Sequence, residues 1–412
     1  MNTLEKLFRL LIGISLISVF EINTSAQKLP EWEEGMLDIH HISTGRGDCA
    51  FLIFPDSTTL LIDAGELSEA SPRVHSDRNA LLRPDNTQTA PEWIIRYIRT
   101  FHPGKEKASL DYAFITHYHG DHFGAIDHLI KDSGKGYLLT GITAVGHHIP
   151  IKKIIAHGLE DERAKELVKN SELLQNYLKF VEYQSSKFGT QHIEFQVGSN
   201  RQISLLKNSG RYPEFEVRNL FGSGKIWNGY SDDQYFISFP EAADIRFNDS
   251  SNGIRISYGK FDYYTGGDIT GVDNDSFFPF SSMDAQTAPI IGPVDIATLN
   301  HHGNRDSQSP YYIRTIRPQV WVLQNWSSDH PGEDVLRRLI SESLYPGERD
   351  IYASVILDPS RSVLGNNIGR ITQETGHIVI RVYPGGENFS VFVLDDFSKD
   401  YKVIFQKNYL SR

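Results

Sequence analysis

The 412-residue chain contains one cysteine, Cys49. No intramolecular disulfide can form, so stability has to come from an ordinary large core, which a chain of this length can bury. Cys49 lies in an apolar run, Cys49 to Phe54, and reads as a small core residue rather than a nucleophile. Basic residues are in deficit. The 41 Lys and Arg against 52 Asp and Glu give a formal charge of −11, which argues against tight non-specific binding to nucleic acid. No strong nucleic-acid surface is expected, and the partner is expected to be a small-molecule or polymer substrate. After the first residues no apolar run approaches the ~20 residues that a membrane helix needs. There is no short-period repeat, no low-complexity segment and no serine or cysteine nucleophile motif.

The chain does carry a leader-like start. Lys6 and Arg9 precede Leu10 to Phe20, and Thr24-Ser25-Ala26 offer small residues before Gln27. This is the outline of a secretory signal peptide over residues 1–26, cleaved after Ala26. A periplasmic or extracellular protein is expected, with no transmembrane segment once the signal is removed.

The densest chemistry is Thr116-His117-Tyr118-His119-Gly120-Asp121-His122. It follows Asp111 to Ile115, an apolar run that reads as a buried strand, and precedes Phe123 to Ile130, whose spacing predicts a helix. Ligand-type side chains therefore stand where a strand gives way to a helix, the edge at which α/β sheets build sites. In extended backbone His117 and His119 point the same way. Gly120 lets the chain turn, and Asp121 and His122 follow the turn. Imidazole with carboxylate suits zinc, manganese or iron.

Elsewhere, Met36–Ser43, Cys49–Phe54 and Thr59–Asp63 read as strands, residues 66–89 as a long loop, and Ala90–Phe101 as an amphipathic helix. Leu159–Glu182 reads as one long helix. Gly253–Tyr258 with Phe261–Thr265 reads as a hairpin, followed by a strand to His301, a strand to Leu323 and a helix over Glu333–Ser343. Ile378–Val382 and Phe389–Leu394 read as a hairpin around Pro384-Gly385-Gly386.

The run at 117–122 resembles the H-x-H-x-D-H signature of the metallo-β-lactamase superfamily. The resemblance extends to Gly45-Arg46-Gly47-Asp48, Leu60-Leu61-Ile62-Asp63-Ala64-Gly65, Thr265-Gly266-Gly267-Asp268 and Asn300-His301-His302-Gly303. These occur in the family's order over roughly residues 36–345, and the first and last are most similar to the extracellular domain of ComEC/Rec2 competence proteins. The resemblance implies an α/β (α+β) four-layer αββα sandwich over residues 27–370. A variable insertion is expected at about 158–250, and a C-terminal β-hairpin extension over 371–412.

It also implies two divalent metal ions, zinc or else manganese or iron, and hydrolysis by a metal-bound hydroxide. The implied ligands are His117, His119, Asp121, His122, Asp268, His301 and His302, with Asp268 bridging. Adjacent strand residues face opposite sides, so one of His301 and His302 should ligate, and His301 is favoured. Asp63 is implied to orient a ligand histidine. Asp121, Asp63 and His330 are the catalytic candidates, with His330 as a substrate-side acid or phosphate contact. Arg46, Asp48 and Asp249 are the candidate substrate contacts. The loop over residues 247–253 lacks the histidine that many members carry, so Asp249 or Asn248 could supply oxygen instead; His147 and His148 read as surface or core. A phosphodiester is the implied substrate. The alternatives are hydrolysis of another ester, a lactone or an amide, and a non-catalytic binding module that keeps its metal.

Overall fold

The computed structural model describes residues 27–160, 162–232, 234–237, 244, 248–271 and 282–412. The expected signal peptide lies outside them. Two sheets organise the chain. From edge to edge the first runs Gln27–Lys28, Lys402–Leu410, Asn388–Leu394, His377–Val382, Leu37–His41, Ala50–Ile53, Thr59–Ile62, Leu110–Phe114, Ile151–Ala156 and Gln191–Glu194. The second runs Tyr235–Ile237, Lys225–Trp227, Phe215–Gly222, Gly253–Tyr258, Phe261–Thr265, Ile296–Thr298, Val320–Leu323 and Asp350–Ala353.

Register explains the layers. Ile380, Ile39, Leu52, Leu60 and Tyr112 pair in one row across five strands of the first sheet. Their side chains meet Ile254, Ile256, Tyr263, Ile296 and Val320 of the second sheet in one buried cluster. The alternate row, Phe51, Leu61, Ala113 and Ile154, faces the other way. It packs under the helices Ala90–Phe101, Gly141–His148 and Glu172–Phe188. The second sheet is covered likewise by Met283–Ile291, Pro310–Ile316 and Glu333–Leu339. Period-2 alternation with both faces apolar is what a sheet covered on both sides requires. The result is a four-layer αββα sandwich.

Within each sheet the later strands run parallel: Thr59–Ile62 through Gln191–Glu194 in one, and Phe261–Thr265 through Asp350–Ala353 in the other. Their C-terminal ends deliver Asp63, Thr116-His117, Asp268, His301-His302 and Trp326 to His330.

Several elements differ from the sequence reading. The helix expected over 123–130 stops at Phe123, because Gly124 adopts φ +127° and a Cβ there would press on Thr140 and Gly141. The long helix at 159–182 is two, Glu162–Asn170 and Glu172–Phe188, restarted by Ser171, whose hydroxyl accepts from the Leu174 amide. The C-terminal hairpin is joined by a third strand, Lys402–Leu410, and is integral to the first sheet through the pairing of Ile378 with His41. The strand before His301 ends at Thr298. Among the described residues no helix is long and apolar enough to cross a membrane.

One buried ion pair ties this hairpin to the strand Leu37–His41. Arg381 donates through Nη2 to Asp38 Oδ2 at 2.6 Å and through Nε to Oδ1 at 2.8 Å. Both side chains are almost fully buried. Removing one partner leaves the other charge unpaired in the interior, so Arg381→Met should lower unfolding free energy by about 3–5 kcal/mol. Urea denaturation of the metal-free protein reads this; an unchanged midpoint would contradict it.

Candidate metal centre

The site is assembled where three loops meet at the C-terminal ends of the strands Leu37–His41, Thr59–Ile62 and Leu110–Phe114. The Asp48 amide donates to Asp121 O at 2.7 Å, the Gly65 amide to Asp48 O at 2.9 Å and the Ala64 amide to His122 O at 2.8 Å. A Cβ at Gly47 or Gly65 would come within 2.2 or 1.9 Å of Asp121 O. Only glycine admits this approach, which gives both glycine-containing motifs a physical meaning.

Four residues converge. One ligand atom from each of Asp121, His122, Asp268 and His302 lies within 4.8 Å of the others. His122 Nε2 stands 3.1 Å from Asp268 Oδ1 and 3.2 Å from His302 Nε2. His302 Nε2 lies 3.3 Å from Asp268 Oδ2 and 3.6 Å from Asp121 Oδ2. His117 Nε2 reaches toward Asp268 Oδ2 at 3.7 Å, is buried, and has no hydrogen-bond partner. The His119 ring packs edge-on against His117, centroids 4.7 Å apart.

Outer contacts fix these rings. Asp63 accepts from His122 Nδ1 at 2.8 Å, from the Thr116 hydroxyl at 2.6 Å and from the Thr116 amide at 2.8 Å. Asp48 Oδ1 lies 3.2 Å from His302 Nδ1. The Asp63 hydrogen bond holds the His122 ring, and Asp48 stands behind His302 at ion-pair distance without a hydrogen bond; both leave Nε2 facing the centre. Trp326 closes over His302, edge-on at 4.1 Å between centroids. The Ser251 hydroxyl accepts from the Asp268 amide at 3.1 Å.

The electrostatics belong to a centre that expects a cation. Burial alone would push His122 and His302 down, but Asp268, with Asp63 for one and Asp48 for the other, holds both well above the ordinary histidine range. Burial would raise Asp268, yet the two histidines hold it well below the usual carboxylate range. His117 is pushed well below its ordinary value by burial and by the His122 charge, so its nitrogen is a free base. Nitrogen and oxygen donors, one of them an orphaned buried imidazole nitrogen, are the donor set of a borderline divalent cation.

The remaining candidates fall in different places. His301 and His302 sit on a turn with φ +47° and +52° rather than on a strand. His302 therefore enters the group, while His301 donates to Asp306 at 2.7 Å and meets Asn248 at 3.1 Å. Asp249 accepts from the Thr270 amide at 2.7 Å and the Thr270 hydroxyl at 2.9 Å. His147 contacts the Tyr137 hydroxyl at 2.8 Å, on the helix Gly141–His148. Arg46 is 3% exposed, and its guanidinium is taken by Glu69 and by the carbonyls of Gly45 and Ala80, so it braces the long loop. His330 is buried beside His302 and His301, ring centroids 5.2 and 6.4 Å away. Burial and the His302 charge push it down to about 3. Sequence reasoning missed Asp48 as the partner of His302 and Trp326 as its cover. Asp48 carried a signal, an acid in a glycine-rich turn; Trp326 carried none.

Behind the metal loop, Glu66 accepts from the Thr140 hydroxyl at 2.7 Å and the Gly141 amide at 3.0 Å. Its own amide donates to Gly120 O at 3.0 Å. Burial pushes its carboxyl from the ordinary 4.5 up to about 7. Between those values the folded chain keeps a proton that the unfolded chain has released, so this group's contribution to stability falls as pH rises through the window. Glu66→Gln keeps an acceptor without the charge. Relative to the parent it should gain up to roughly 3 kcal/mol between about pH 5 and about pH 8, read from thermal unfolding. A difference that does not vary with pH would contradict this.

No protein-family model matches the chain, and no curated protein matches it either. Among solved structures it is similar to a protein assigned as a metal-dependent hydrolase from Parabacteroides distasonis ATCC 8503, with 14% identity, TM-score 0.36, and 80% of this chain and 98% of that one covered. A Cronobacter sakazakii metallo-β-lactamase with a HARLDQ motif shows 13% identity, TM-score 0.31, and 63% and 73% coverage. The short form of human tRNase Z shows 15% identity, TM-score 0.27, and 69% and 91% coverage. At such identity and TM-score none of the three says what this chain binds or cleaves.

Proposed function

We propose that the chain is a metal-dependent hydrolase, exported by its N-terminal segment, that acts on a phosphodiester-type substrate. The observation that carries the reading is the convergence of Asp121, His122, Asp268 and His302, mostly buried, with Asp268 Oδ1 and the neighbouring His117 Nε2 left without hydrogen-bond partners. These four would hold one divalent cation; His117 and His119, with Asp268 shared, would hold a second. A cation held there lowers the pKa of water toward neutrality and polarises the bond to be broken. The chain's residues do the rest. Asp63 and Asp48 keep the His122 and His302 rings oriented, and Trp326 excludes water from one side. His330, kept neutral by burial and by the His302 charge, would serve as a polar contact beside His302 and not as the expected acid. The missing histidine of the 247–253 loop leaves the second place with fewer protein ligands, so that ion should be removed first by a chelator.

The test is a substrate panel. Protein stripped with a chelator should be inactive on a phosphodiester, a carboxylic ester, a lactone and a lactam. Reloading with zinc or manganese should restore hydrolysis, first on the phosphodiester. A reloaded protein that retains metal and hydrolyses none of them would be a binding module and would refute the reading.

A further inference from the structure

Beside the candidate centre lies a cleft of about 210 Å³, walled by Arg78, Arg305, Ser328, Asp329, Pro331 and Gly332. Its walls come from separate segments that are tied together. The Ser328 amide donates to Arg78 O at 2.8 Å, the Gly332 amide to Gly303 O at 2.9 Å, and the Ser360 hydroxyl to Ser328 O at 2.9 Å. Gly332 packs closely here: a Cβ would come within 2.8 Å of Arg305 Cγ and shift that side chain. The segment that floors the cleft also carries His330, whose ring faces His302. The same segment therefore lines the cleft through Asp329 and Pro331 and packs against the candidate centre through His330.

The charges in the cleft do not balance. Asp329 is held by the Arg73 guanidinium at 3.3 Å and by the Ser327 hydroxyl. Glu333, which also lines the cleft, is paired with Arg337. Among the described residues neither Arg78 nor Arg305 meets a carboxylate; Arg78 has only a 3.5 Å contact to the Ser328 hydroxyl. Both are exposed. On a chain of formal charge −11, two uncommitted guanidinium groups at the mouth of one cleft form a local positive site. The cleft is smaller than the ~300 Å³ at which pockets for whole small ligands begin, so it suits one end of a longer substrate.

We propose that this cleft binds a phosphate flanking the scissile bond, with Arg78 and Arg305 as its forks, and so selects substrates carrying a second phosphate. The proposal rests on the hydrolase reading for which bond is cleaved, but the binding it predicts does not. Guanidinium presents paired donors that match phosphate oxygens, which lysine does not.

The experiment uses the full mature chain and two matched pairs of probes. One pair is a thymidine dinucleotide with and without a 5′-phosphate. The other is a glycerol-linked diester with two phosphodiester groups or with one. In the metal-loaded protein the doubly charged member should have the higher kcat/KM. That preference should fall about tenfold, mainly through KM, in Arg78→Gln and in Arg305→Gln, the loss expected for one charge-assisted hydrogen bond. Arg78→Lys should retain part of it. The pair with the larger ratio identifies nucleotide or glycerol chemistry. Calorimetric titration of metal-free protein with the phosphorylated dinucleotide should show the same arginine dependence. Hydrolysis without a phosphate preference, and binding unchanged in both Gln variants, would overturn the cleft and leave the hydrolase intact. Arginine-dependent binding with no hydrolysis of any probe would uphold the cleft and remove the hydrolase.

Discussion

Asp268→Ala is expected to empty the metal centre and to abolish metal-dependent hydrolysis, with a loss on the order of 100-fold or more, above the 10–100-fold typical of an outer-contact residue. Asp268 is the carboxylate that faces three of the imidazoles, with oxygens 3.1 Å from His122, 3.3 Å from His302 and 3.7 Å from His117. Asp121 is less well placed to replace it, because among these imidazoles it comes within 4 Å of His302 alone, at 3.6 Å. The fold should survive, since the Asp268 side chain contacts the site histidines rather than the apolar layers. Circular dichroism together with elemental analysis checks both halves. A variant that keeps its metal and its activity would show that the second half of the site is centred elsewhere.

The two adjacent histidines should separate cleanly. His302→Ala is expected to lose metal and activity together, whereas His301→Ala should retain its metal. His302 points into the group with its Nδ1 backed by Asp48 at 3.2 Å, while His301 is committed to Asp306 and Asn248. The comparison needs metal content and turnover on one substrate. Loss of metal in His301→Ala with metal retained in His302→Ala would reverse the assignment.

That pair also shows what a sequence discloses and what it does not. The order of motifs placed Asp63, the 117–122 run, Asp268 and the His-His pair at strand ends, because apolar runs followed by polar turns are legible as sheet edges. Strand alternation implied only that one of the two should face the centre; the resemblance favoured His301, and the structure turns His302 inward instead. The strand stops at Thr298, and His301 and His302 take positive φ, so alternation has already ceased to apply. The helix expected after Phe123 failed for a related reason: side-chain periodicity continued, but Gly124 took a conformation that a helix cannot hold. Arg46 read as a candidate substrate contact on the loop between two strands. Only tertiary contact reveals that Glu69 and two carbonyls already occupy it. The layers themselves were legible, since each sheet row is a period-2 pattern; the third C-terminal strand was not, because in Lys402–Leu410 only Val403 is buried and the other positions are exposed or half-buried, so no apolar row marks it.

The account turns on one claim, that Asp121, His122, Asp268 and His302 together hold a divalent cation. Crystals grown with zinc and measured on both sides of the zinc absorption edge test it most directly. The predicted result is an anomalous peak bounded by those four side chains, with a weaker one beside His117 and His119. Zinc peaks elsewhere on the molecule with none among the four would contradict it.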